Sequence, residues 1–373
     1  MSTDVKPSWT ASWLPFLSRW QAVLRTPALA REAPYLAILP WLISAGVIFL
    51  TLSGLVLAVY YNPAHAFDSI QFIDRNVNNG WLIQSFHETG ASMVFGAAYW
   101  MLLRGLLVRA YKLPGPAVWL WQVKIFCWLL LAGWLGFTLS GGAAAYWSLT
   151  SAAQAAGLLT GAPGAVGTWF FGGPNGPGTL ARMAVFHIAV AVIIFAALWA
   201  HHSAKQAALP NVPPRAAVAF HPYYTAQYFV ALSVFALIFA VFVFFAPHFG
   251  QPFLNLLPGG PLVTPAKILF PWYLSPIAGL GGLLPGIYGG IAGVVAGLGV
   301  VFALPWLDRS GPNFRPGWLY RCLSILLALD VLGIGWAASS SSGLATVLLD
   351  VCGAWYFLHF LVLTPLATAM EAE

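Results

Sequence analysis

The chain has 373 residues, of which 60% are hydrophobic and only 7% charged, against about 25% charged in soluble domains. That composition excludes a soluble globular protein and describes a polytopic membrane protein, with 18 Trp and 13 Tyr to furnish interfacial belts. The formal net charge of +6 comes from basic loops and gives a nucleic-acid role no support.

In chain order, residues 9–33 mix Trp, Leu and Phe with Arg19, Arg25 and Arg31, which predicts an interfacial amphipathic helix. Eight apolar stretches long enough to span a bilayer follow, at 39–61, 80–104, 116–141, 179–203, 224–247, 283–305, 318–338 and 344–366. The first is too long for a signal-peptide core and has no clear cleavage site, so it reads as a retained helix. Arg104, Arg109 and Lys112 follow the second stretch, Lys205 and Arg215 the fourth, and Asp308, Arg309 and Arg315 the sixth. The basic bias puts these loops and both termini on the cytoplasmic side, in a bacterial inner membrane. The opposite connections, 62–79, 142–178 and 248–282, are long, rich in Gly and Pro, and read as ordered loops that carry function or partner contacts. Cys127, Cys322 and Cys352 form no CxxC or CxxCH, which argues against disulfides, cysteine-held clusters and covalently attached heme.

Two histidines organise the polar chemistry. His87 and His187 each sit near the start of a long apolar stretch; 14 residues further on stand Met101 and His201. Fourteen helical residues rise about 21 Å and return close to the same face. Two facing helices so marked can hold two hemes at two depths, and here one pair reads His/His and the other Met/His. An isolated intramembrane His more often serves as a hydrogen-bonding group between helices, but the surroundings here favour ligation. Gly54 and Gly136 offer flat surfaces for a porphyrin, and Arg182, five residues before His187, is placed to pair with a propionate.

The segment AFDSIQFIDRNVNNGWLIQSFHETGASMVFGAAYWMLLRGL resembles the second-helix region of respiratory and photosynthetic cytochrome b. TLARMAVFHIAV, FHPYYTAQY and GGPLVTPAKILFPWYLSP each resemble their own regions of the same family. The resemblance runs from about 35 to 368, in register at every helix. It implies an all-α membrane fold in three parts: an N-terminal segment (1–38), a four-helix heme bundle (39–215) and four further helices (216–373). It also implies heme b, exchange with quinol and quinone, and partners such as a Rieske protein and a c-type cytochrome, with lipid around them.

The departures from the family pattern are concentrated. The family's outer heme positions, His87, His187, Gly54 and Gly136, are all present. At the inner heme three of four are changed: Met101 and His201 take the ligand positions, and Pro40 and Gln122 stand where the family has glycines. Met can ligate heme iron, but the two bulky replacements argue for a single heme, leaving His201 and His202 solvated at the cytoplasmic surface. The family's inner quinone site has a His, a Lys and an Asp where this chain has Gln206, Gln227 and Tyr228, none of which supplies a proton near neutral pH. The outer Pro-Glu-Trp-Tyr motif reads Phe270-Pro271-Trp272-Tyr273, so its acid is lost, and Ser140-Gly141-Gly142 replaces a Pro-Trp-Gly run. Gln84 replaces an arginine that reaches the outer propionate. Arg104 is retained and reads as a positive-inside anchor. Glu88 stands where the family has a small residue and is expected to pair with an amide or a partner subunit. Asp330, Asp350 and His359 are expected to serve subunit contacts. The expectation is thus a one-heme electron-transfer subunit without an orthodox Q cycle. Two alternatives remain: a largely structural partner of an ordinary cytochrome b, and a quinol-oxidising cytochrome b with a second, Met/His heme.

Overall fold

The computed structural model describes residues 27–29, 38–112, 115–161, 165, 169–171, 176–208, 217–262, 264–311 and 316–371. Most of the expected amphipathic helix at 9–33 lies outside them. At Pro27–Leu29 the chain is instead a short strand, β1, paired antiparallel with β2, Ala217–Ala219. Proline fixes φ and has no N–H to give a helix, and the extended backbone there finds its partner across the chain.

Among the described residues, eight helices are long and apolar enough to cross a membrane. They are α1 (Leu39–Tyr60), α3 (Gly80–Leu107), α4 (Pro116–Leu139), α6 (Pro177–Ala208), α7 (Thr225–Phe245), α9 (Gly286–Leu307), α10 (Trp318–Ala338) and α11 (Gly343–Leu358). The last continues through a wide turn at His359–Leu363 into α12 (Thr364–Met370). Shorter helices fill the connections: α2 (Ala66–Asn76), α5 (Ala143–Thr160) and α8 (Ser275–Gly282). Each connection expected as a loop therefore contains a helix. In 142–178 the Gly and Pro residues flank an alanine-rich segment, and alanine is the strongest helix former.

In the N-terminal half, α1 packs along α3 and α4 along α6, making two helix pairs that face one another. An apolar core fills the bundle around Met101, from Leu42 and Ile43 on α1 to Phe126 and Leu129 on α4 and Ile194 and Leu198 on α6. A second core, built on Trp119, Leu304, Leu327 and Phe360, joins the bundle to the C-terminal helices. The two halves are also tied by a buried ion pair. Arg109, just after α3, donates from Nε to Asp308 Oδ2 at 2.7 Å, with 2% and 0% of the side chains exposed. Tyr111 donates to the same carboxylate at 2.8 Å, and Ser310 joins through Arg109 and Asp308. Burial works against the Asp308 charge, but Arg109 and Ser310 outweigh it and hold the carboxyl below its usual range.

Candidate functional site

Each helix pair presents one histidine against one glycine. A Cβ on Gly54 of α1 would lie 2.9 Å from Cε1 of His87 on α3, and one on Gly136 of α4 would lie 3.0 Å from Cε1 of His187 on α6. The glycines thus make room for the imidazoles of their paired helices, where the sequence reading had them facing a porphyrin. Both rings are oriented through Nδ1. His187 Nδ1 donates to the Ala132 carbonyl at 3.0 Å, which fixes the tautomer, because a carbonyl can only accept. His87 Nδ1 lies 3.1 Å from Ser53 Oγ and bonds the Leu50 carbonyl. In His187 the bond to a carbonyl leaves Nε2 as the lone-pair nitrogen, the arrangement typical of metal-ligating histidines.

The ring centroids are 6.2 Å apart. Two imidazoles bound to one metal through nitrogens about 2 Å away place their centres about 6 Å apart, so His87 and His187 are spaced as two residues that would hold one iron. One turn from His87, Gln84 has a buried carboxamide oxygen without a hydrogen-bond partner in the protein. On the other side Arg182 holds the Gly178 carbonyl at 2.9 Å and, with Phe186 and Trp169, lines an open cavity of about 730 Å³. These residues fit a heme b held by His87 and His187.

Fourteen residues along each helix, the four equivalent positions are arranged differently. Met101 and His201 are buried, 2% and 3% exposed. Gln122, in the place equivalent to Gly136, reaches His201 with its amide nitrogen 3.5 Å from Nε2. Its amide nitrogen faces the ring nitrogen that would ligate iron, while its Oε1 is buried without a hydrogen-bond partner in the protein. Trp119, fully buried and donating to the Val301 carbonyl at 2.9 Å, packs beside it against Gly105. His201 is thus not solvated as expected; His202 is exposed, 2.8 Å from Gln206. Pro40 opens α1, its carbonyl accepting from Ser44.

The remaining site candidates are scattered. Tyr228 packs against Trp41 at 5.1 Å, and the Gln227 side-chain oxygen is buried without a partner. The Pro271–Tyr273 run is folded onto α3: Tyr273 stacks on Phe95 at 4.2 Å, its carbonyl accepts from Tyr99 at 2.8 Å, and Trp272 Nε1 lies 3.3 Å from Ser92 Oγ. Burial pushes the Tyr273 phenol above its ordinary value, so it stays neutral. Glu88 lies 3.5 Å from His248 of its own chain, where an amide or a partner subunit was expected to meet it. Asp330 is buried and takes the Cys352 thiol as a partner, and His359 is 1% exposed. These two are interior groups and not surface contacts; Asp350 alone of the three is exposed. The Arg109–Asp308 pair was missed as a unit, because 199 residues separate its members.

The fold defines a multi-span, all-helical membrane protein whose facing histidine pair fits a heme. The family model for cytochrome b/b6/petB matches residues 38–206, and that for the cytochrome b C-terminal/b6/petD region matches residues 258–358. A cytochrome b of Rickettsia prowazekii is 36% identical over 341 residues, 86% of this chain and 83% of that protein. One of Rickettsia conorii is 32% identical over 391 aligned positions, covering 99% and 96%. A chain of a hyperthermophilic respiratory complex III superposes with a TM-score of 0.83 at 26% identity, covering 98% of this chain and 99% of that one. The chain belongs to the cytochrome b family. Membership implies heme b as prosthetic group and a multisubunit membrane redox complex as its setting.

Proposed function

We propose that this chain carries one heme b, held by His87 and His187, and passes electrons within a complex III-type respiratory assembly without running an orthodox Q cycle. The observation that carries the reading is the difference between two levels of one bundle. At the histidine pair, glycines admit both rings and each Nδ1 is engaged. At the Met101 level a glutamine side chain stands where the other level has a glycine, its amide nitrogen 3.5 Å from His201 Nε2. Heme supplies a one-electron carrier; the chain supplies its ligand tautomers, its apolar seat and, through Arg182, a cation for a carboxylate.

A Q cycle needs two hemes in series and proton-exchanging groups at both faces. Pro271, Gln206 and Gln227 have no titratable side chain, and Tyr273 is a neutral, stacked phenol. The electron partners in this reading are a redox centre on the His87 side, such as a Rieske protein or c-type cytochrome, and quinone or another subunit. The location is a bacterial inner membrane with both termini cytoplasmic, from the charge of the loops. The second reading, a largely structural partner of an ordinary cytochrome b, draws on the same missing proton carriers. Replacing His187 with Ala separates the two: electron transfer predicts that the heme absorbance and the turnover of the intact complex fall together. Turnover that survives loss of the heme assigns the chain to the scaffold role.

A further inference from the structure

A cavity of about 380 Å³ runs between α1, α3 and α7, outside the heme bundle. On α3 its wall extends from Glu88 to Trp100, about 18 Å of helix. Over most of that length it is apolar, closed by Leu42, Met93, Gly96 and Phe235. Trp100 and Phe242 border it among the membrane-facing side chains of α3 and α7. A Cβ on Gly96 would meet nothing within 4 Å, so the groove has free width at its middle. Polar groups gather at one end. Glu88 lines it there, bonded to His248 at 3.5 Å, with Trp272 and Phe249 around them. The Glu88 hydrogen bond, against the cost of burial, holds the His248 imidazole above its ordinary value, and Asp74 acts in the same sense. The head end therefore presents the Glu88 carboxylate, with the His248 imidazole 3.5 Å from it.

We propose that this groove is a binding site for an aminophospholipid, its acyl chain lying along α3 and its primary ammonium donating to Glu88. The shape calls for a long apolar chain with one polar head. The charge selects the head. The Glu88 carboxylate favours a cationic group beside it, and an ammonium N–H makes the charge-assisted hydrogen bond that a quaternary choline cannot. His248 meets the phosphate of the same head. The assignment is independent of how many hemes the chain carries.

The test uses the whole complex, stripped of lipid in detergent and offered phosphatidylethanolamine, phosphatidylcholine and phosphatidylglycerol with matched chains, with retained lipid counted by native mass spectrometry. The ethanolamine lipid is retained about tenfold over the other two, the factor expected of one charge-assisted hydrogen bond. Glu88→Gln removes that preference, and Gly96→Leu, which grows into open space, removes retention of the chain itself. Heme absorbance reports that each variant is intact, and should one fail to assemble, the other still decides. Equal retention of the three lipids by the wild type overturns the proposal. So does a quinone that co-purifies one per chain and is lost in the same variants, which assigns the groove to that ligand.

Discussion

At the scale of single residues, the account rests on what fills the space beside each histidine. Gly136 and Gln122 are 14 residues apart on α4, as His187 and His201 are on α6, so the two pairs are repeats of one contact. With no side chain on Gly136, the imidazole of His187 approaches α4 to 3.0 Å of a would-be Cβ and keeps Nε2 for a ligand. With Gln122, the same approach becomes a hydrogen bond to the histidine. A branched side chain at the first position has to displace the ring. Gly136→Val is expected to weaken heme retention about 10- to 100-fold, the range for displaced ligand orientation, read by absorbance of the purified complex. His201→Ala, in contrast, leaves heme content unchanged, and any loss of absorbance there contradicts the one-heme reading. The facing of His87 and His187 was legible in sequence because a histidine in an apolar helix is rare and the 14-residue spacing is simple geometry. The seat of the glycines was legible only in part: their positions were right, but which group they admit depends on helix pairing that no local pattern records.

At the scale of elements, the connection between the halves is the informative feature. Arg109 and Asp308 read in sequence as two members of basic loops, ordinary positive-inside markers. The fold closes them into a buried pair with Tyr111 and Ser310. Removing one partner of a buried pair costs about 3–5 kcal/mol, because the other charge is left uncompensated. Asp308→Asn is therefore expected to lower the thermal midpoint of the purified protein, with Arg109→Met similar and the double variant less damaging than the sum. The pH dependence follows from the depressed Asp308 carboxyl. Its contribution is present above the unfolded value of about 3.9 and is lost as pH falls toward the lower folded value. Melting curves should fall off below about pH 4 in the wild type, and Asp308→Asn should lose that part of the acid response. The spans themselves were legible to within a few residues, since length and apolarity suffice. The helices inside the connections were not, because α5 is too polar to read as a span and its flanking glycines and prolines dominate the composition around it.

At the scale of the whole molecule, the eight spans, the two facing helix pairs and the family match define a cytochrome b, and in the one-heme proposal one of its two equivalent levels is repacked. The repacking is coherent: Met101 joins an apolar core, Gln122 takes His201, and Trp119 closes against Gly105. The former acid of the aromatic run is a proline, and that run is stacked on α3. Family register made these substitutions visible in sequence, while the partners that now absorb them needed the fold. The most direct test is the heme b content of the purified native complex, from the pyridine hemochrome spectrum divided by the amount of this chain. Any ordinary cytochrome b present is counted separately by mass spectrometry. The account predicts one bis-histidine heme per copy of this chain; two per copy, with a second iron ligated at His201, contradicts it.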